Sequence, residues 1–171
     1  NAVVCRLSDG LAALKPGEAA TVTICGMGGG LMAKILTAQP GVRESLTRLV
    51  LQPNTDAGTL RTALVGFSWR IIDEDLLIDG KYIYPVIVAE KSAVPVVMSP
   101  EDVAFGPVLR QRRPPAFFEM LRRYEAHTLR VLSQCGSSAQ ATARFEAELS
   151  QIRAEMQLSL IHISEPTRRP I

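Results

Sequence analysis

The segment Thr21-Val22-Thr23-Ile24-Cys25 is β-branched or apolar at every position, and it runs without interruption into Gly26-Met27-Gly28-Gly29-Gly30. A strand with no polar face is covered on both sides, the habit of parallel sheets flanked by helices. Leu31, Ile35 and Leu36 then recur at helical spacing as far as Pro40, so the stretch predicts strand, glycine turn and helix. The pattern repeats without the glycines. Arg48 to Gln52 reads as a second strand, Pro53-Asn54 ends it, and Asp56 stands where it can cap a helix carrying Leu60, Leu64 and Val65. Successive units of this kind predict an α/β fold.

Around these units, Ala2 to Arg6 reads as a further strand and Ser8-Asp9-Gly10-Leu11 as a turn. Trp69 to Ile78 and Lys81 to Ala89 are strand-like runs joined at Asp79-Gly80, a strong hairpin signal. Val94 to Pro107 contains three prolines and reads as an extended linker. Phe117, Leu121, Tyr124, Thr128 and Val131 are then spaced 4, 3, 4, 3, and Phe145, Leu149, Ile152 and Met156 repeat that seam after Gly136-Ser137-Ser138. Alternating threes and fours with a short connection predict an antiparallel coiled-coil hairpin. The expected organisation is an α/β portion over 1–92, a linker over 93–115, a helical hairpin over 116–157 and a tail over 158–171. The stretch Leu158 to Arg168 resembles the in-frame translation of a sequencing adapter, so the tail is set apart from the fold.

Composition excludes several classes. With 47% hydrophobic and 21% charged residues the chain is not a disordered one, and its longest apolar run, Tyr82 to Ala89, is far too short to span a bilayer. Cys5, Cys25 and Cys135 are odd in number and widely spaced, which suits a reducing cytoplasm better than a disulfide framework or a metal site. Outside the tail His127 is the single histidine, so no metal is expected and histidine triad chemistry is disfavoured. Residues 1–109 carry nine basic and eleven acidic side chains, whereas 110–157 carry eight arginines, no lysine and five glutamates. Arginine binds phosphate bidentately and stacks on bases, so Arg110, Arg112, Arg113, Arg122 and Arg123 are candidate nucleic-acid contacts, the alternative being a solvated helical face. The sequence sets no oligomeric state.

The glycine turn admits more than one ligand. Gly28-x-Gly30-x-x-Ala33 formally fits a dinucleotide fingerprint, yet the next strand ends in Gln52-Pro53-Asn54 where that fingerprint wants an acid. A tight turn with no ligand is the third alternative. Asp9 follows the first strand, where a carboxylate can accept the exocyclic amine of an adenine, although Asp-Gly pairs are commonly mere turns. Ligands of open α/β sheets bind outside the carboxyl ends of strands, and that rule would bring the Asp9 turn and the glycine turn into one site.

Taken together, Asp9-Gly10-Leu11, Thr23-Ile24-Cys25-Gly26-Met27-Gly28-Gly29, Leu51-Gln52-Pro53-Asn54, and Gly80-Lys81 with Tyr84 and Val86 to Glu90 resemble the bacterial tRNA (adenine(22)-N(1))-methyltransferase family of TrmK type, from about Asn1 to Met156. The resemblance implies a class I (Rossmann-like) methyltransferase sheet, N-terminally truncated, followed by a coiled coil that helps hold tRNA, with S-adenosyl-L-methionine as cofactor. It implies cofactor contacts at Asp9, Gly10, Gly26, Met27, Gly28 and Gly29, and a substrate side at Gln52, Pro53, Asn54 and Tyr84. Ala20 and Pro85 depart from the family pattern, and the family's first glycine motif and ribose-binding acid would lie before Asn1. The catalytic aspartate is expected there too, so the chain by itself is expected to be inactive. Adenine N1 carries an in-plane lone pair and needs no strong base to attack a methyl sulfonium, which leaves placement of the two reactants and extraction of the base to the protein. Gly26-Met27-Gly28-Gly29 is not the Asp/Asn-Pro-Pro-aromatic loop common in enzymes acting on exocyclic amines, so a ring nitrogen is the expected target. The rival reading is a non-catalytic RNA-binding module.

Overall fold

The computed structural model describes residues 3–134 and 139–163, with side chains to 158. Two compact units divide the chain, Asn1–Arg112 and Arg113–Ile171. The first is built on strands β1 (Thr21–Gly28), β2 (Arg48–Thr55), β3 (Trp69–Asp79) and β4 (Tyr82–Lys91), with helices α1 (Gly29–Ala38), α2 (Pro40–Ser45), α3 (Ala57–Gly66), α4 (Pro100–Phe105) and α5 (Pro107–Arg112). The sheet order is β1-β2-β4-β3. β1 and β2 pair in parallel from Thr21 opposite Arg48, and β4 pairs antiparallel with both β2 and β3. Leu49, Leu51, Ile87 and Ala89 from the strands are fully buried with Met32 and Leu36 of α1 and Leu60 and Leu64 of α3.

Several local expectations shift. The segment before Ser8 forms no strand among the described residues, and Val3, Val4 and Leu7 are exposed, because β propensity is expressed only where a ladder partner exists. On α1 the buried residues are Gly29, Met32 and Leu36, while Leu31 is 52% exposed. Asp56 sits at the N-cap of α3 with φ 55, and its side chain makes no capping bond. The hairpin turn is Gly80-Lys81, one residue later than Asp79-Gly80, with Asp79 paired to Tyr82 and Gly80 at φ 53, as a turn with glycine at its first central position requires.

Residues 93–115 are not an extended linker. Ser99 accepts from the Asp102 N–H at 3.1 Å while Asp102 accepts from the Ser99 N–H, a complete capping box that starts α4 right after the proline-rich stretch. Phe105 of α4 and Leu109 of α5 are buried. Arg61 of α3 donates to Glu74 of β3 at 2.9 Å and to the Val103 carbonyl at 3.0 Å, and Glu74 accepts from the Val108 N–H at 3.0 Å. Both side chains are almost wholly buried. Burial pushes the Glu74 carboxyl up, against the pull of Arg61 and of the Val108 and Leu109 amides. Gly106, at φ 95, is held by this pair, since a Cβ there would stand 2.6 Å from one Glu74 oxygen and 2.9 Å from Arg61 Nη2.

The second unit comprises α6 (Pro115–Gln134) and α7 (Ala139–Ile163). Arg113 bonds Glu155, Glu125 bonds Arg153, and Thr128 bonds Glu148, so partners descend along α7 as they ascend along α6 and the two helices are antiparallel. Phe117, Leu121, Thr128, Leu149 and Ile152 of the expected seam are buried, but Tyr124 is 40% exposed and Glu155 is buried instead. The Gly136-Ser137-Ser138 turn lies outside the described residues, as do 164–171, and α7 itself continues through Ile163 into the segment set apart as a tail.

Removing one member of a buried ion pair strands the other, which costs about 3–5 kcal/mol. Glu74→Ala is expected to lose stability on that scale in urea denaturation. Arg48→Ala, which breaks a half-exposed pair with Glu90, is expected to lose less than about 1 kcal/mol.

Candidate functional site

The turn carrying Asp9 is tied down by a loop-sized network. Arg6 pairs with Glu18 and donates to the Ala13 carbonyl at 3.0 Å, Glu18 accepts from the Lys15 N–H at 2.9 Å, and the Ser8 hydroxyl accepts from the Ala13 N–H at 2.9 Å. This holds Asp9-Gly10-Leu11 across α1 with Leu11 buried. Two adjoining cavities lie there. One, of about 220 Å³, is lined by Asp9, Leu11, Leu31, Lys34, Ile35 and Ala38; the other, of about 200 Å³, by Gly10, Leu11, Val22, Ile24, Met27 and Ile35. Leu11 and Ile35 border both; Gly10 and Met27 line the second together, whereas Asp9 lines the first and Gly26, Gly28 and Gly29 line neither.

Lys34 and Ile35 are cleft residues that the sequence reading does not assign. The signal is the helical spacing of Leu31, Lys34, Ile35 and Ala38, a second stripe beside the core stripe of Met32 and Leu36. Two faces with different destinations had to be separated, and apolarity alone does not separate them.

The glycine turn is a bulge. Cys25 pairs with Gln52 and Met27 with Pro53, leaving Gly26 with no ladder partner and φ +77. Its peptide groups bond instead to side chains of β2. The Gly26 N–H donates to Gln52 Oε1 at 2.9 Å, Gln52 Nε2 donates to Asn54 Oδ1 at 3.0 Å, and Asn54 Nδ2 donates to the Gly26 carbonyl at 2.9 Å. Pro53, buried between them, has no N–H to offer a ladder, which a strand tolerates at a bulge.

The remaining candidates are scattered. Gly28 is the N-cap of α1, 3.1 Å in Cβ terms from Thr55 Oγ1, and Gly29 packs so tightly that a Cβ would stand 2.2 Å from the Asp56 carbonyl oxygen. Tyr84 stacks on Tyr82 with ring centroids 6.1 Å apart and pairs across the hairpin with Leu77, lining neither cavity. Every arginine of the expected cluster meets a carboxylate: Arg110 with Asp102, Arg112 with Asp73, Arg113 with Glu155, and Arg122 and Arg123 with Glu119. Arg130 instead bonds His127 at 3.0 Å, and Arg144 lies over the Phe145 ring; neither has a carboxylate partner among the described residues. Among those residues, too, no cluster of three His, Cys, Asp or Glu is placed to hold a metal, and no helix is long and apolar enough to cross a membrane.

Residues 1–159 match the family model for TrmK, tRNA (adenine(22)-N(1))-methyltransferase. The chain belongs to this family. It is 32% identical over 157 residues to the tRNA (adenine(22)-N(1))-methyltransferase of Bacillus subtilis, covering 90% of this chain and 66% of that protein. The crystal structure of the B. subtilis tRNA methyltransferase TrmK superposes with a TM-score of 0.75 at 30% identity, over 88% of this chain and 68% of that one. A Streptococcus pneumoniae relative, Sp1610, solved in complex with S-adenosyl-L-methionine, gives a TM-score of 0.78 at 28% identity, over 88% and 66% of the two chains. A Streptococcus agalactiae protein of the NADB-Rossmann superfamily gives 0.82 at 28% identity, over 88% and 66%. The chain thus spans about two thirds of the length of these proteins.

Arg6 holds the Glu18 carboxyl at about 2, helped by the Lys15 N–H. A depressed carboxylate keeps its ion pair above the unfolded value and loses it as pH falls through the folded one. The tether on the Asp9 turn is therefore expected to be complete at pH 4.5 and to open only towards about 2, read as the midpoint of the Glu18 carboxyl carbon shift in NMR.

Proposed function

We propose that this chain is the part of a cytoplasmic TrmK-type enzyme that carries the adenine-side cofactor wall and the tRNA-holding helices, the enzyme transferring a methyl group from S-adenosyl-L-methionine to N1 of the adenine at position 22 of tRNA. The observation that carries the reading is the cavity that Gly10 and Met27 line together, beside the one lined by Asp9, in a chain whose family is named for that reaction. The residues fit a nucleoside. Asp9 offers a carboxylate acceptor for an exocyclic amine, and Leu11, Val22, Ile24 and Ile35 form apolar walls for a flat ring.

S-adenosyl-L-methionine supplies an electrophilic methyl group when bound. Adenine N1 presents its lone pair without prior deprotonation, so what this chain contributes is placement. Asp9 and Gly10 would orient the adenosine portion, and the Gly26-Met27 turn, at the cleft's other end, would stand between that portion and the target base. An extruded base is more easily held against an apolar side chain than left in water, and Met27 is 38% exposed beside the cleft.

For tRNA, Arg112 at the end of α5 and the arginines of the helical unit supply cations of two kinds. Arg113 is engaged with the buried Glu155, so it holds α6 to α7. Arg112 and Arg122 have side chains 57% and 61% exposed, and Arg130 and Arg144 face no carboxylate among the described residues. These four are the cations through which phosphate contact is proposed.

Methylation is to be assayed on tRNA transcripts with the chain alone and joined to the part of the B. subtilis relative that it does not match, followed by nucleoside analysis. 1-Methyladenosine is the expected product of the joined protein, and none is expected from the chain alone; N6-methyladenosine or a methylated guanosine overturns the assignment. Asp9→Ala, losing a hydrogen bond to a charged acceptor worth about 1.5–3 kcal/mol, is expected to weaken S-adenosyl-L-methionine binding about tenfold or more in calorimetry. RNA binding without any cofactor binding would instead favour a non-catalytic module. Arg130→Gln and Arg144→Gln are each expected to reduce the slope of log K against log salt for tRNA by about 0.7 to 0.9, with cofactor affinity unchanged.

A further inference from the structure

The Gln52, Asn54 and Gly26 bonds form a ring whose direction is fixed by the backbone. A peptide N–H only donates, so the Gln52 atom 2.9 Å from it must be the oxygen. That turns the Gln52 amide nitrogen toward Asn54 Oδ1 at 3.0 Å, which in turn leaves Asn54 Nδ2 for the Gly26 carbonyl at 2.9 Å. Residues two apart on a strand share a face, so Gln52 and Asn54 reach the bulge together across the intervening Pro53. Both peptide groups of the one residue that the ladder skips are thereby satisfied. The chain leaves Gly26 at φ +77 and delivers Met27 to the cleft wall.

We infer that Gln52 and Asn54 are positioning residues for methyl transfer, acting through the closed amide ring on Gly26 to set the turn that aims Met27 at the target base. The inference rests on the methyltransferase reading. It departs from the expectation that this motif meets the substrate directly, because the hydrogen-bonding groups that would read a base edge are engaged with each other and with Gly26.

The ring has a chemical signature. An ionised glutamate at position 52 still accepts from the Gly26 N–H, but it has no proton for Asn54 Oδ1. Rotating the Asn54 amide only moves the clash to the Gly26 carbonyl, so one contact always sets two acceptors face to face. A protonated glutamate closes the ring again. Gln52→Met has neither state. The other ionisable groups of β1, β2 and the adjoining cap, Cys25, Arg48 and Asp56, are present in every variant and cancel in the comparison.

The experiment compares wild type, Gln52→Glu and Gln52→Met between about pH 4 and 8, a range that reaches the ordinary protonation of a glutamate side chain. In the methylation assay Gln52→Glu is expected to lose on the order of ten- to a hundredfold in kcat at pH 8, with KM for S-adenosyl-L-methionine unchanged, and to recover toward wild type as pH falls, while Gln52→Met stays low throughout. Parallel pH profiles for the two variants, or a loss confined to KM for tRNA with kcat intact, overturn the inference and favour direct contact with the base. These assays use the chain joined to the unmatched part of the B. subtilis relative; if that wild-type protein forms no 1-methyladenosine, the functional reading fails on its own. The ring is then decided by the Gly26 amide in ¹⁵N NMR of the chain: a resonance that titrates in Gln52→Glu and is flat in wild type and Gln52→Met supports it, and one flat in all three overturns it.

Discussion

Parallel pairing of β1 with β2 is the constraint on which everything else here depends. Parallel neighbours end at the same edge of a sheet, so the turns that follow them emerge side by side. Side chains from one turn can then complete the backbone of the other, and the amide ring on Gly26 exists for that reason. The antiparallel hairpin of β3 and β4 closes the opposite flank, and the cavity lined by Gly10 and Met27 lies at the β1 side.

Much of this architecture is legible in sequence because its determinants are local. A β-branched or apolar strand running into glycines, a turn glycine between two alternating runs, and a 4-3 seam each contain their evidence within a few residues, and β1, the β3–β4 hairpin and the α6–α7 pair appear where those signals stand, although β1 is not covered on both faces: Val22 and Ile24 are buried while Thr21, Thr23 and Cys25 are exposed. What escapes is non-local. Gly26 is recognisable as a glycine, but its bonding partner lies 26 residues later in the chain, so nothing near it announces a bulge. Leu31 and Ile35 are apolar at helical spacing like Met32 and Leu36, and only the packed sheet distinguishes the stripe that faces the cleft from the one that faces the core. The prolines of 95–107 suggest extended chain, yet two of them occupy first helical positions, where proline is favoured, and Ser99 with Asp102 supplies the cap.

Charge counting misleads in a related way. An excess of arginine over a segment says nothing about which carboxylates fold against it, and the five arginines closest together in sequence turn out to be those best matched by Asp73, Asp102, Glu119 and Glu155. Availability to a phosphate is a property of the folded surface. Arg130 and Arg144, which a count treats like the rest, are without a carboxylate partner among the described residues.

Glu74 also does for α5 what a neighbouring serine does for an ordinary helix. Its oxygen takes the N–H groups of Val108 and Leu109, the second and third residues of that helix, the very donors that a side chain at the N-cap would normally satisfy. A six-residue helix has almost no stability of its own, and this cap arrives from a strand 34 residues earlier in the chain. The helix that ends the first unit is thereby conditional on the sheet: α5 is capped only when β3 is in place and Arg61 has followed its partner into the interior.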